Sequence, residues 1–192
     1  MEFPPIEQGA SLMLAWQIRN KNVLMVGGGY VAAGRIYHLL NSNAIVTLVS
    51  PEEGLSPEVR YRIEKGELNY YFDRKFETSD LDGKDMVLTA IDSPAVSTAI
   101  WKLCKLRRIP VNVADVPSEC DFYFGSQHRD GPLQIMVSTS GNAPRLTSQV
   151  RKRIADCLDK NTAVAISKVG ALRKKLRKAA NGTDQSRRRM EW

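Results

Sequence analysis

Three stretches of this chain hold residues able to do chemistry. In the first, Gly27, Gly28 and Gly29 follow a four-residue apolar run, Val23 to Val26. Beyond them Val31, Ile36, Leu39 and Leu40 recur near helical spacing. A strand that ends in glycines and reopens as a helix is built to hold a diphosphate. Gly27 permits the turn, Gly29 lets the backbone approach the anion, and Ala32 keeps helix and strand close. The free N–H groups of the first helical turn, at Tyr30 and Val31, face the charge. The second stretch supplies carboxylates: Asp92 and Asp115 each stand directly after an apolar run. A carboxylate there is expected to be partly desolvated and able to act as a general base. Equally, Asp115 could cap the following turn, and residue types alone leave the two roles open. The third stretch, Ser138, Thr139, Ser140, Gly141 and Asn142, is a polar turn before Pro144, which suits the first position of a helix.

These groups need a scaffold that brings them to one rim. Apolar runs at 44–49, 68–72, 84–91 and 109–113 read as strands, with helical patterns at 56–66 and 95–107 between them. Strands alternating with helices over short connections predict an α/β fold with a Rossmann-type, doubly wound parallel sheet. Ligands of such sheets bind beyond the carboxyl ends of the strands, so the glycine turn, Ser50, Asp92 and Asp115 are expected side by side. At the end of the second strand, where an acidic residue often meets the adenine ribose, the chain has Ser50 and Pro51, then Glu52 and Glu53. No arginine follows to receive a 2′-phosphate, which favours NAD over NADP. Phe76, in a loop, is a candidate to pack on the adenine ring, and Asp92 is a further cofactor-side residue.

Outside this core the reading is coarser. Residues 12–19 alternate apolar and other residues, which predicts a strand before the first glycine-linked one. After residue 116 the alternation of strand and helix stops. Two short apolar runs, 120–124 and 133–138, predict a small sheet that a second subunit could complete. Leu146, Val150, Ile154 and Leu158 fall at four-residue spacing on a helix, a second helix covers about 162–180, and 186–192 begins another. The domain expectation is therefore 1–115 for the nucleotide, 116–143 for dimerisation, and 144–192 as a helical region that ends abruptly, as a truncated domain would.

Charge and composition narrow the function further. The net charge of +7 is concentrated after residue 150, where 13 Lys and Arg face four Asp and Glu. A basic helical tail suits a polyanionic partner, although a solvated helix face is the commoner meaning of such a run. Three scattered cysteines and two histidines argue against a disulfide framework and a zinc site. Neither a secretory leader nor a membrane-length apolar run is apparent, so a cytoplasmic protein is expected.

The motifs taken together resemble one family. Val-Gly-Gly-Gly-Tyr-Val-Ala-Ala-Gly-Arg (26–35), Val-Ser-Pro (49–51), Asn-Val-Ala-Asp (112–115), Cys-Asp-Phe-Tyr-Phe-Gly (120–125) and Ser-Thr-Ser-Gly-Asn-Ala-Pro-Arg (138–145) are similar to the precorrin-2 dehydrogenase/sirohydrochlorin ferrochelatase family of sirohaem synthesis. The resemblance implies oxidation of precorrin-2 to sirohydrochlorin with NAD, followed by insertion of ferrous iron. It implies a homodimer, a tetrapyrrole held partly by the helical region, and no metal ligand set of the protein's own. It also implies NAD contacts from Gly28, Gly29, Tyr30, Val31, Ser50 and Pro51. Asp115 becomes the catalytic acid/base, and Asn112 and residues 138–142 fall on the substrate side. A dehydrogenase-only homologue and a non-catalytic NAD-binding regulator with a basic tail remain the alternatives. The tail has few aromatics and no helix-turn-helix pattern, so a nucleic-acid role has little support.

Overall fold

The computed structural model describes residues 3, 5, 6 and 8–179. The helical run expected over 186–192 lies outside them. The chain divides into two compact units, Met1–Tyr123 and Phe124–Trp192.

The first unit is a five-stranded, wholly parallel sheet. Its strands are β1 (Asn22–Val26), β2 (Ile45–Val49), β3 (Tyr70–Phe72), β4 (Met86–Thr89) and β5 (Val111–Val113), in the order β3-β2-β1-β4-β5. Helices α1 (Tyr30–Asn41), α2 (Pro57–Glu64) and α3 (Pro94–Arg107) make the crossovers. The order reverses between β1 and β4, and it is at such a switch point that doubly wound sheets bind ligands. Strands buried on both faces read as nearly continuous apolar runs, as β1, β2 and β4 do, whereas the edge strand β3 leaves Tyr70 and Phe72 exposed. On one face Leu24, Val26, Val87, Val111 and Val113 pack with Ile100 and Cys104 of α3. Val23, Met25, Leu48 and Leu88 point the other way by alternation and are also fully buried. The buried stripe of α1 is Ala32, Ala33, Ile36 and Leu39.

Turn chemistry fixes where these elements begin. Asn20 and Asn43 take left-handed conformations, with φ of 60° and 57°, and Asn20 N–H donates to Asn43 C=O at 2.9 Å. Asparagine tolerates this region better than most residues. Ser56 caps α2 by accepting from Val59 N–H, with Pro57 behind it.

Two expected strands are absent. Residues 11–18 form no strand. The segment has no hydrogen-bonded neighbour in the sheet, whose five strands are all accounted for. Leu12, Met13, Leu14 and Trp16 stay exposed, and only Ile18 is buried. Period-two alternation specifies a strand only where a sheet edge accepts it. Residues 120–124 are likewise not a strand. That stretch folds back on β5: Asp121 N–H donates to Val111 C=O at 2.9 Å, and Val111 N–H donates to Asp121 Oδ2 at 3.0 Å. Trp16 meets Phe122 edge to face, with ring centroids 5.3 Å apart. The chain thus stays with the sheet as far as Asp121.

The second unit opens with an antiparallel hairpin of β6 (Ser126–Asp130) and β7 (Leu133–Val137). Its first strand is Ser-Gln-His-Arg-Asp, a polar run that contains His128. The two-residue turn has Gly131 at φ 54°, which hairpin turns of this length require at their first central position. Helices α4 (Pro144–Asp156) and α5 (Thr162–Ala179) follow. Arg151 of α4 donates from Nε to Ser126 Oγ at 3.1 Å, tying helix to hairpin. No described helix is long and apolar enough to cross a membrane.

Candidate active site

The glycine turn sits at the switch point. Gly27 has φ 100°, and a Cβ there would lie 2.1 Å from the Ala90 carbonyl oxygen at the end of β4. Only glycine fits. Gly28 is pressed against the β2 loop: a Cβ would lie 2.3 Å from Leu55 and 3.0 Å from Ser50 Oγ. Gly28 C=O accepts from Ser56 N–H at 2.8 Å, which clips the two loops together. Gly29 differs, since a Cβ on it would meet nothing within 4 Å. It is the N-cap of α1, and no side chain caps that end. Tyr30 is 81% exposed and Val31 about half exposed in the first turn. An open glycine face beside uncapped N–H donors is what an incoming diphosphate needs.

At the end of β2, Ser50 is buried, and its hydroxyl donates to Pro51 C=O at 3.2 Å. Pro51 leads into a short 3-10 turn, Glu52–Gly54. Glu52 N–H donates to Asp73 Oδ1 at 2.7 Å. One sequence expectation fails here. An arginine does stand beside this loop: Arg60, brought in by α2, donates to Glu52 Oε1 at 2.5 Å and to Glu52 C=O at 3.1 Å. Eight residues of separation hid it. Phe76 is partly buried, packed against the α3-side core. Asp92 is exposed just after β4, on the same rim as the glycine turn.

Asp115 follows β5 on that rim. Its carboxylate is exposed, not partly desolvated as expected, because the chain turns outward at once. Its φ is 61°, the left-handed region that few non-glycine residues enter. The surrounding side chains hold that turn. The Cys120 thiol donates to Val113 C=O at 3.1 Å and lies 3.3 Å from Val116 C=O, bracketing Asp115 on both sides. Asn112 Nδ2 donates to Phe122 C=O at 2.8 Å and to Cys120 Sγ at 3.3 Å. At 3% exposure, Asn112 lies beneath the loop and does not face solvent. Burial pushes the Cys120 thiol above its ordinary value, which favours the neutral S–H that donates here. Arg35 of α1 completes the cluster. Burial holds its guanidinium below the ordinary arginine value, and the nearby Cys120 and Asp115 pull it back up. Sequence reasoning missed Arg35 and the role of Cys120. The one signal was a lone arginine within an otherwise small and apolar stretch of α1.

In the second unit, Ser138, Thr139, Ser140, Gly141 and Asn142 form the loop before α4. Ser140 and Gly141 have positive φ, 51° and 83°. Thr139 anchors the loop: its Oγ1 accepts from Ala143 N–H at 3.2 Å and pairs with Thr147 Oγ1 at 2.9 Å, while its carbonyl accepts from Asn142 Nδ2 at 2.9 Å. Ser138, Ser140, Gly141 and Asn142 are exposed.

Comparison with known proteins accords with this geometry. An NAD(P)-binding family model matches residues 14–126. Two others, described as sirohaem biosynthesis protein central and C-terminal, match 130–156 and 159–192. A siroheme biosynthesis protein of Schizosaccharomyces pombe is 51% identical over 192 residues, covering all of this chain and 72% of that one. The chain belongs to the sirohaem biosynthesis protein family. The family's Saccharomyces cerevisiae member, also described as a siroheme biosynthesis protein, is 32% identical over 95% of this chain and 80% of its own. The solved structure of "SirC, precorrin-2 dehydrogenase" superposes with a TM-score of 0.70 at 24% identity, over 94% of this chain and 86% of that one, which shows the shared fold. The NAD(P)-binding model covers most of the first unit. Its glycine turn fits the dinucleotide: the open face of Gly29 and the uncapped α1 end admit a diphosphate, and the tight contacts at Gly27 and Gly28 fix the turn.

Proposed function

We propose that this chain oxidises precorrin-2 to sirohydrochlorin with NAD and then inserts ferrous iron to give sirohaem, with Asp115 as the general acid/base. Membership of the sirohaem family supports the pathway. The observation that carries the site assignment is Asp115 itself: an exposed carboxylate in a left-handed turn, clamped by Cys120 at the end of β5. A side chain held in a sparsely populated conformation by its neighbours is a common mark of a functional position.

When bound, NAD would supply the hydride acceptor for this oxidation. The backbone N–H groups of Tyr30 and Val31, with Gly28 and Gly29, would hold its diphosphate, and Ser50 and Pro51 would border its adenosine end. Loss of a hydride from carbon leaves one proton to remove, and Asp115 accepts it and passes it to water. Iron insertion releases two pyrrole protons, and the same carboxylate can take them in turn. The macrocycle nitrogens supply the ligands of the iron, which is a substrate. The eight carboxylates of the tetrapyrrole suit the positive charge of α4 and α5, and the 138–142 loop offers donors for one of them. The family's homodimer extends to this chain through the hairpin of β6 and β7, in the cytoplasm.

The test is anaerobic turnover of precorrin-2 with NAD, followed by absorbance, with ferrous iron added second. Sirohydrochlorin and then sirohaem are expected. Asp115→Asn should lose at least about a hundredfold in kcat, the usual scale for a general base, and still bind NADH normally. Asparagine tolerates the left-handed turn, so this variant removes the charge and keeps the backbone. Undiminished oxidation by Asp115→Asn would overturn the assignment. Sirohydrochlorin without sirohaem would mark a dehydrogenase alone.

A further inference from the structure

The loop after β2 holds a charged arrangement that the reaction itself does not require. Glu52 and Arg60 form an ion pair, with side chains 61% and 41% exposed. Asp73 accepts the Glu52 N–H, and the buried hydroxyl end of Tyr71 lies among them. The Tyr71 phenol is pushed up by burial, then by Asp73, Glu52 and Glu53, and is pulled down by Arg60. Three carboxylates and one guanidinium therefore gather at the outer ends of β2 and β3. This loop is held against the glycine turn by the contacts of Gly28 with Ser50 and Leu55 and by the Ser56–Gly28 hydrogen bond.

In dinucleotide-binding sheets this is where the 2′ position of the adenine ribose is read. An acid there suits a free 2′-hydroxyl and an arginine suits a 2′-phosphate. Here both groups are present, and the acid holds the arginine. We infer that the Glu52–Arg60 pair selects NAD over NADP, with Glu52 occupying a guanidinium that would otherwise bind a 2′-phosphate. The inference rests on the reading of the glycine turn as the dinucleotide site. Glu52 acts twice: it repels the phosphate directly, together with Glu53 and Asp73, and it ties down the Arg60 guanidinium. An exposed pair of this kind contributes little to folding. It can therefore be altered with small effect on stability.

The test is direct binding of NADH and NADPH to the full chain, read by nucleotide fluorescence, with no tetrapyrrole present. Wild type should prefer NADH. Glu52→Gln should tighten NADPH binding by about tenfold or more, the effect of one charge-assisted hydrogen bond. Adding Arg60→Ala to Glu52→Gln should abolish that gain. If wild type binds NADH and Glu52→Gln binds NADPH no better, the inference is overturned and the site reading stands. If the gain persists without Arg60, repulsion alone explains it and the role of Arg60 falls. If folded wild type binds neither nucleotide, the site reading fails and the inference fails with it.

Discussion

The Cys120 thiol donates to the carbonyl oxygen of Val113 at 3.1 Å, and between the two along the chain stands Asp115. The sulfur thereby closes a loop whose exposed tip is the proposed acid/base. Replacing it with serine retains a donor, and with valine removes it. Cys120→Val is expected to lower kcat by about tenfold or more, since small misplacement of a reacting group has effects of that order. Cys120→Ser should recover most of the loss, and neither change should alter NADH affinity. Equal activities for the two variants would separate the clamp from catalysis.

The neighbouring glycines Gly27 and Gly29 should respond in opposite ways. Gly27 combines φ 100° with an Ala90 oxygen 2.1 Å from any added Cβ. Gly27→Ala should destabilise the fold by about 3 kcal/mol or more, the upper range for strain and overpacking combined. Gly29 has open space, so Gly29→Asp should fold with an unchanged melting temperature. It should lose NADH binding through the charge and bulk set before α1. Thermal denaturation alongside nucleotide fluorescence resolves the two.

A third expectation concerns acid stability. Asp80 is nearly buried, and Arg74 bonds both its oxygens, at 2.7 and 2.9 Å. Burial works to raise its pKa, but hydrogen bonds from Arg74 and the Glu77 N–H outweigh that and hold it below the usual aspartate value. A lowered folded pKa means stabilisation that is present above the unfolded value and is lost as pH falls through the folded one. Asp80→Asn should therefore melt several degrees below wild type at neutral pH. The gap should narrow below about pH 4, near the ordinary aspartate pKa, and close beneath the folded value. A gap independent of pH would show that shape, not charge, is what Asp80 supplies.

Thr89 offers a stabilising change. It is 2% exposed at the end of β4, and its hydroxyl has no hydrogen-bond partner among the described residues. Its register partners are Val26 and Val113. Thr89→Val keeps the branched shape and removes a buried unsatisfied group, so it should add about 1 kcal/mol to stability. Chemical denaturation measures this directly. A loss of stability would place an internal water on that hydroxyl.

How much was legible beforehand follows from the range of the interactions. Apolar runs buried on both faces, the helical recurrence in α1 and the glycines between them are local patterns, and each element formed where its pattern lay. Ser56, the cap of α2, is local too, and the helical pattern over 56–66 starts at it. The alternation over residues 12–19 was just as regular, yet it made no strand, because pairing depends on a free sheet edge that sequence does not display. The polar strand β6 was missed for the converse reason: its partner β7 and the Gly131 turn create it. Tertiary structure alone also brought Arg60 to Glu52, Arg35 to Asp115 and Phe76 into the core. Local periodicity determined the scaffold and the positions of Gly27–Gly29 and Asp115 on its rim. Which charges meet there, and which backbone turns are clamped, was decided by folding, because those contacts join residues on different elements at separations that no local pattern records.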